Sequence, residues 1–191
     1  MVFVVIDDQG VEIMPIRFQK MIYRKDLRSN PNTLYVFGDN LKRQGMGGQA
    51  AEMRYEPNAC GVATKKSPGT SPADYFRDNE IESNTFVFNQ DLSRVVDHLK
   101  TGGEVVFPTD GLGTGLSLLP KTAPKSYQVL ADMINGLCKQ YGLVDEAKRK
   151  QEHIQELARL SAKKSVGQKM SVYERQRLED LRELIDDPYE Y

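Results

Sequence analysis

The chain has 191 residues, of which 39% are hydrophobic and 28% charged, with a formal net charge of -1. That is enough apolar material for one core of ordinary size, and the balanced charge argues against a protein built mainly to coat nucleic acid. No apolar run is long enough to span a bilayer, and Met1-Val2-Phe3-Val4-Val5-Ile6-Asp7-Asp8 lacks the basic region and small-residue cleavage site of a signal peptide. A cytoplasmic protein with no membrane partner is expected. Cys60 and Cys138 form no metal or redox motif and read as buried free thiols.

In chain order, Val2–Ile6 is short, apolar and β-branched and predicts a strand. Asp8-Gln9-Gly10 predicts a turn, with Val11–Met14 returning as a hairpin partner. A further strand is expected over Lys20–Tyr23. Asn30-Pro31-Asn32 is a turn leading into a Leu34–Phe37 strand. Gly45-Met46-Gly47-Gly48 then opens a small-residue helix over Gln49–Arg54. Cys60-Gly61-Val62-Ala63 reads as a buried strand, followed by a long polar stretch from Thr64 to Glu82. Leu92, Val95, Val96 and Leu99 recur at helical spacing up to Gly102-Gly103. Glu104–Phe107 supplies one more strand. After Pro120 comes an amphipathic helix with Tyr127, Leu130, Ile134, Leu137 and Tyr141 on one stripe, stopped by Gly142.

Beyond Gly142 the composition turns to Glu, Lys, Arg and Ala. A thin stripe of Ala147, Ile154, Leu157 and Ala158 marks one helix. Ser171-Val172-Tyr173-Glu174 is a capping box opening a second, which carries Leu178, Leu181 and Ile185. The expected organisation is an α/β domain over 1–142 with a helical appendage over 143–191. The appendage either covers one face of the sheet or serves as a contact between copies or with a partner.

The chemistry concentrates in two glycine-rich segments, each following a strand. The first runs Phe37-Gly38-Asp39-Asn40 to Gly45-Met46-Gly47-Gly48. The second is Thr109-Asp110-Gly111-Leu112-Gly113-Thr114-Gly115. Glycine lets a backbone approach a phosphate and aim N–H groups at it, and a parallel sheet holds such ligands across its carboxyl ends. Gly47, Gly48, Gly113 and Thr114 are the expected donors. Asn40 either meets a ribose or shapes a turn, and Asp39 either orients Asn40 or caps that turn. Thr64 and Lys65 leave a buried strand, where a lysine can be desolvated into a nucleophile, hold a phosphate, or simply be solvated. Arg43, Lys42, Lys66, Lys121 and Lys125 either rim the site or are surface charges. Tyr75 and Phe76 either stack on a base or anchor their loop. His98 and His153 have no ligand-spaced companions, so no metal and no cofactor are expected.

This order of strand, Asn40, glycine loop and Ala-rich helix, followed by Phe107-Pro108 and Gly113-Thr114-Gly115, resembles the macro domain, a binder of ADP-ribose. Cys60-Gly61-Val62-Ala63-Thr64-Lys65-Lys66 is similar to a segment of its terminal ADP-ribose glycohydrolase and DNA ADP-ribosyl hydrolase antitoxin branch. The resemblance covers roughly Leu34–Tyr141. It implies a three-layer αβα fold with a mixed central sheet. It also implies ribose binding by the first loop with Asn40, a grip on the diphosphate by the second loop, and a nucleophilic role for Lys65. The acid that follows the second loop in that branch is absent from Leu116-Ser117-Leu118-Leu119, which leaves Asp110 or Asp39 as the nearest base. The function expected from this resemblance is ADP-ribose or related-nucleotide binding, with hydrolysis from modified nucleic acid or protein if Lys65 reacts. The alternatives are a binder that sequesters a nucleotide signal, as an anti-defence sponge would, and an interaction protein working through its C-terminal helices, homo-oligomeric or otherwise.

Overall fold

The structure is a computed structural model that describes residues 5–6, 12–13, 15–142 and 146–186. The chain divides into two compact units, Met1–Leu143 and Val144–Tyr191. Val5–Ile6 (β1) pairs antiparallel with Glu12–Ile13 (β2), Val5 opposite Ile13. The rest of the two expected hairpin strands, and the Asp8–Gly10 turn, lie outside the described residues.

The main sheet has four strands, β3 (Ile16–Gln19), β4 (Leu34–Asp39), β5 (Ala59–Ala63) and β6 (Val105–Pro108), in the order β3-β6-β4-β5. Every pairing in it is parallel, where a mixed sheet was expected. The strand expected over Lys20–Tyr23 is a correction. The strand there is β3, and α1 (Arg24–Ser29) follows it. Ile16 is buried at this edge. The polar side chains of Arg17 and Gln19 are tied to Glu104 and Asp26 instead of to solvent.

Alternation along the strands splits the core in two, because successive side chains of a strand point to opposite faces. Leu34, Val36, Val105 and Phe107 pack on one face with Phe88, Leu92 and Val95 of α3 (Ile81–Lys100). Leu130 and Ile134 of α5 (Pro124–Tyr141) join the same cluster. Tyr35, Phe37 and Val106 pack on the other face with Leu27 of α1 and Met53 of α2 (Ala50–Met53). Helix α3 begins at Ile81, inside the stretch expected to be loop, because buried Asn84 and Phe88 extend its stripe toward the N-terminus. The helix expected after Pro120 is two helices, α4 (Leu119–Thr122) and α5, broken at Ala123 before Pro124. Proline disfavours the helical region for the residue before it, and Ala123 is accordingly non-helical, with φ -149 and ψ 68. Asp78 caps α5, accepting from Lys125 N at 3.1 Å and Ser126 N at 3.0 Å.

In the second unit, α6 (Glu146–Ser165) and α7 (Val172–Asp186) form a hairpin around Leu160, Met170, Leu178 and Leu181. The stripe expected on α6 is corrected. Ile154 and Ala158 are exposed, Leu157 is partly buried, and Leu160 enters the core. The side chains of Ala147, His153 and Ile185 lie outside the described residues. No helix of the described residues is long and apolar enough to cross a membrane.

Candidate functional site

The two glycine segments leave neighbouring parallel strands. β4 and β6 pair directly, Leu34 opposite Val105 and Tyr35 opposite Val106, so both chains exit at the same edge of the sheet. The loops touch there. A methyl on Gly38 would stand 3.4 Å from the Gly113 nitrogen, and one on Gly47 would stand 2.8 Å from Leu116 Cδ1. The carboxyl edge of a parallel sheet is where such folds place ligands.

The first loop is shaped by a buried ion pair. Asp39 at the end of β4 accepts from Arg54, the residue closing α2, and both carboxylate oxygens are used. Asp39 also takes the Asn40 N–H at 2.8 Å. Gly61 makes room for this carboxylate, since a methyl there would stand 2.7 Å from Asp39 Oδ2. Arg54 Nε donates to Gly45 O at 2.8 Å and Asn40 Nδ2 to Gln44 O at 2.7 Å. In a planar trans peptide the N–H points opposite its carbonyl. The Gly45 and Met46 amides are therefore turned away from these side chains. Asn40 is 7% exposed and its Oδ1 is buried without a hydrogen-bond partner among the described residues.

The second loop follows the same rule. Gly111 O accepts from Thr114 Oγ1, Gly113 O from Leu119 N, and Gly115 O from Leu118 N. The amides of Leu112, Thr114 and Leu116 are thereby turned away from those contacts. Among the described residues, none of the N–H groups of Gly45–Gly48 or Leu112–Leu116 donates a backbone hydrogen bond. Gly113 has φ +82, and a methyl there would stand 2.9 Å from Leu119 Cβ and 3.2 Å from Thr64 Cβ. Only glycine suits both the conformation and the packing. Two non-glycine residues in the left-handed region, Arg43 and Leu118, bracket these loops. Strained backbone of this kind clusters at sites whose surroundings hold it in place.

The long polar stretch supplies a third wall. Thr64 is buried and its Oγ1 lies 2.7 Å from Ser117 Oγ of the second loop. Lys65 is 6% exposed. Its Nζ donates to Leu116 O at 3.4 Å and sits 4.2 Å from the centre of the Tyr75 ring. No carboxylate of the described residues pairs with it. The loop that brings Tyr75 here is closed by Asp74, which accepts from Ser67 Oγ and from Ser71 N. Those bonds, Ser67 first, hold the Asp74 carboxyl below its usual range. Pro68 on this loop reaches the first, lying 3.1 Å from where a methyl on Gly45 would stand.

Of the expected site residues, Gly38, Asn40, Gly45, Gly47, Gly48, Thr64, Lys65 and Gly113 thus meet at one edge. Phe37 and Leu112 are buried in the two cores, below the surface of the loops. Thr109 and Asp110 are exposed, and Asp110 makes no hydrogen bond to a described residue. Gly115 faces open space and Met46 is 51% exposed. Phe76 is an anchor, buried edge-on against Phe88, while Tyr75 covers Lys65. Arg43 is engaged with Asp91 and Lys66 with Glu80, so neither is a free rim cation. His98 bonds Glu104 O. No group of three or more metal-ligating side chains exists among the described residues. Sequence reasoning missed Arg54 and Asp91. The only signal for Arg54 is a single cation closing a helix of small residues that begins at the loop.

A family model described as a family of unknown function (DUF7831) matches residues 17–133. No curated protein and no solved structure matches the chain. The matched span contains both glycine segments, Lys65 and Tyr75.

Proposed function

The chain belongs to this family of unknown function (DUF7831), and we propose that its parallel-sheet unit binds ADP-ribose or a related nucleotide between the two glycine loops. One observation carries the reading: two runs of backbone N–H groups that donate to no backbone acceptor among the described residues lie in loops leaving adjacent parallel strands at one edge of the sheet. Converging amides of this kind suit an anionic phosphate. Asn40 Oδ1, buried and unpartnered, suits a ribose hydroxyl that donates to it, since a buried acceptor without a donor is costly. The macro-domain resemblance assigns the same two loops to the diphosphate and the distal ribose, and a three-layer αβα frame fits helices packed on both sheet faces.

Binding is favoured over turnover. Asp39 is consumed by Arg54 and Arg43, Asp110 makes no contact that would orient it as a base, and Asp74, the carboxylate that acts on Lys65, is taken up by Ser67 and Ser71. The group that meets Lys65 Nζ is the Leu116 carbonyl. The protein then acts as a nucleotide reader or sponge. Hydrolysis through Lys65 is the second reading, favoured by its burial without a carboxylate.

Calorimetry with ADP-ribose, NAD and cyclic nucleotides tests the first reading. ADP-ribose is expected to bind the wild-type chain, and Gly113→Ala is expected to weaken it by more than roughly tenfold, the loss of about one or two amide contacts. Absence of binding by every nucleotide overturns the proposal. Incubation with ADP-ribosylated DNA and protein separates the second reading. Release of ADP-ribose by wild type and not by Lys65→Ala establishes it, and release by neither leaves the binder.

A further inference from the structure

Lys65 is a buried cation of the site with no carboxylate of the described residues in direct contact; the nearest influence is Asp74, whose carboxyl it helps, after Ser67 and Ser71, to lower through space. The Lys65 side chain is almost wholly buried, and no carboxylate of the described residues lies within ion-pair distance. An ammonium has three donors and no acceptor. One donor goes to Leu116 O at 3.4 Å, and one side of the group faces the Tyr75 ring at 4.2 Å. An aromatic face attracts a cation and is most effective away from water, but it adds no counter-charge. A buried charge without a direct partner calls for one, and the Asp74 carboxylate that acts on it from a distance is taken up by Ser67 and Ser71.

Tyr75 has little freedom to leave this position. Asp74, before it, closes the 67–74 turn through Ser67 and Ser71, and its carbonyl accepts Lys66 N at 2.8 Å. Phe76, after it, is 1% exposed in the core. The backbone of Tyr75 is thus held between two fixed neighbours, with its ring over the Lys65 ammonium. The next residue after Lys65 behaves differently, since Lys66 pairs with Glu80 at 2.7 Å and is partly exposed. Two adjacent lysines therefore differ, Lys66 in a direct ion pair and Lys65 buried without one.

We propose that Tyr75 is the positioning residue of this site: its ring holds the Lys65 ammonium against the second glycine loop, where a phosphate-bearing ligand supplies a direct counter-charge. The ligand part rests on the nucleotide-binding reading above, whereas the Tyr75 part stands on ligand-free geometry. Lys65 in this arrangement is an electrostatic anchor, and the neighbouring N–H groups of the loops share its anion.

The test is acetylation of the full ligand-free chain by an N-hydroxysuccinimide ester, followed residue by residue with mass spectrometry. Lys65 is expected to react roughly tenfold more slowly in wild type than in Tyr75→Ala, as for loss of one desolvated cation–π contact. Tyr75→Phe keeps the ring and is expected to keep the slow rate. Lys66 and Lys121 are the internal references and are expected to react equally in all three chains. Equal Lys65 rates in wild type and Tyr75→Ala overturn the proposal, as does a Tyr75→Phe chain that reacts as fast as Tyr75→Ala. Should Tyr75→Ala fail to fold, the Tyr75→Phe chain and Tyr75→Leu, of similar bulk without a π face, make the same comparison. In wild type, inorganic pyrophosphate is expected to slow Lys65 further and leave Lys121 unchanged; no protection overturns the counter-charge. Because the first comparison uses no ligand, failure of ADP-ribose to bind leaves it intact, and its failure leaves the calorimetry intact.

Discussion

Asp39 and Arg54 have side chains 3% and 6% exposed, and their pairing joins the end of β4 to the end of α2. The same guanidinium holds Gln44 O and Gly45 O, so one side chain both neutralises the strand end and shapes the first glycine loop. Removing one partner of a buried pair strands the other charge. Arg43 Nη1, 3.7 Å from Asp39 Oδ2 and 41% exposed, is the only other cation paired with it among the described residues. Arg54→Met is expected to lower stability by about 3 kcal/mol, the usual size for breaking such a pair, read as a drop in the urea midpoint. Adding Asp39→Asn removes the stranded charge and is expected to recover most of that loss. A midpoint unmoved by Arg54→Met would mean that water reaches Asp39. Asn40, Lys65 and the glycines are legible in the sequence because they follow short apolar strands at local spacing. Arg54 did not, because its importance comes from a strand end and a helix end meeting, which no local spacing encodes.

Helix α7 shows what local chemistry makes legible. Ser171 Oγ accepts Glu174 N at 3.0 Å, and Glu174 accepts Ser171 N at 2.9 Å, the reciprocal cap written in Ser171-Val172-Tyr173-Glu174. Lys163 on α6 also donates to Glu174. These bonds, Lys163 first and Ser171 next, bring the Glu174 carboxyl from 4.5 down to about 2. A carboxylate depressed by folding stabilises fully above its unfolded value and loses that effect as pH falls through its folded one. The cap is therefore expected to release between pH 4.5 and about 2, followed by the NMR amide shift of Ser171. Glu174→Gln is expected to abolish that step; a step that persists unchanged would assign it to another carboxylate. The stripe on α6 was harder to read, since Ile154 and Ala158 look apolar but stand outside, while Leu160 alone is 1% exposed in the cluster. Strand β3 is hard to locate in the sequence for a related reason. Its Arg17 and Gln19 find side-chain partners at a sheet edge, so its hydrophobicity never announces it.

The strand order β3-β6-β4-β5 is what turns two separate glycine segments into one site, and nothing in the linear chain fixes that order. It depends on β6 inserting between β3 and β4 after α3 has crossed the sheet. The same long-range closure buries the two cysteines in a single cluster, Cys60 on β5 and Cys138 on α5, although they are far apart in sequence. Burial raises both thiols, Cys60 from 9.0 to about 11. The thiolate is the reactive form, so at pH 8 both are expected to resist a thiol reagent until the core opens. If the sheet and helices of this unit open cooperatively, Cys60 and Cys138 will label at one common rate, and urea will accelerate both alike. Different rates would divide the core into parts that open separately. The pH dependence follows from the sign of the shift. A thiol raised by folding keeps its contribution below its unfolded value and loses it as pH climbs, so stability is expected to fall between pH 9.0 and about 11. Cys60→Ser, whose hydroxyl does not ionise in that range, is expected to flatten the fall. If it does not, the alkaline loss belongs to Cys138 or to Tyr35, which burial also raises, and Cys138→Ser separates the two.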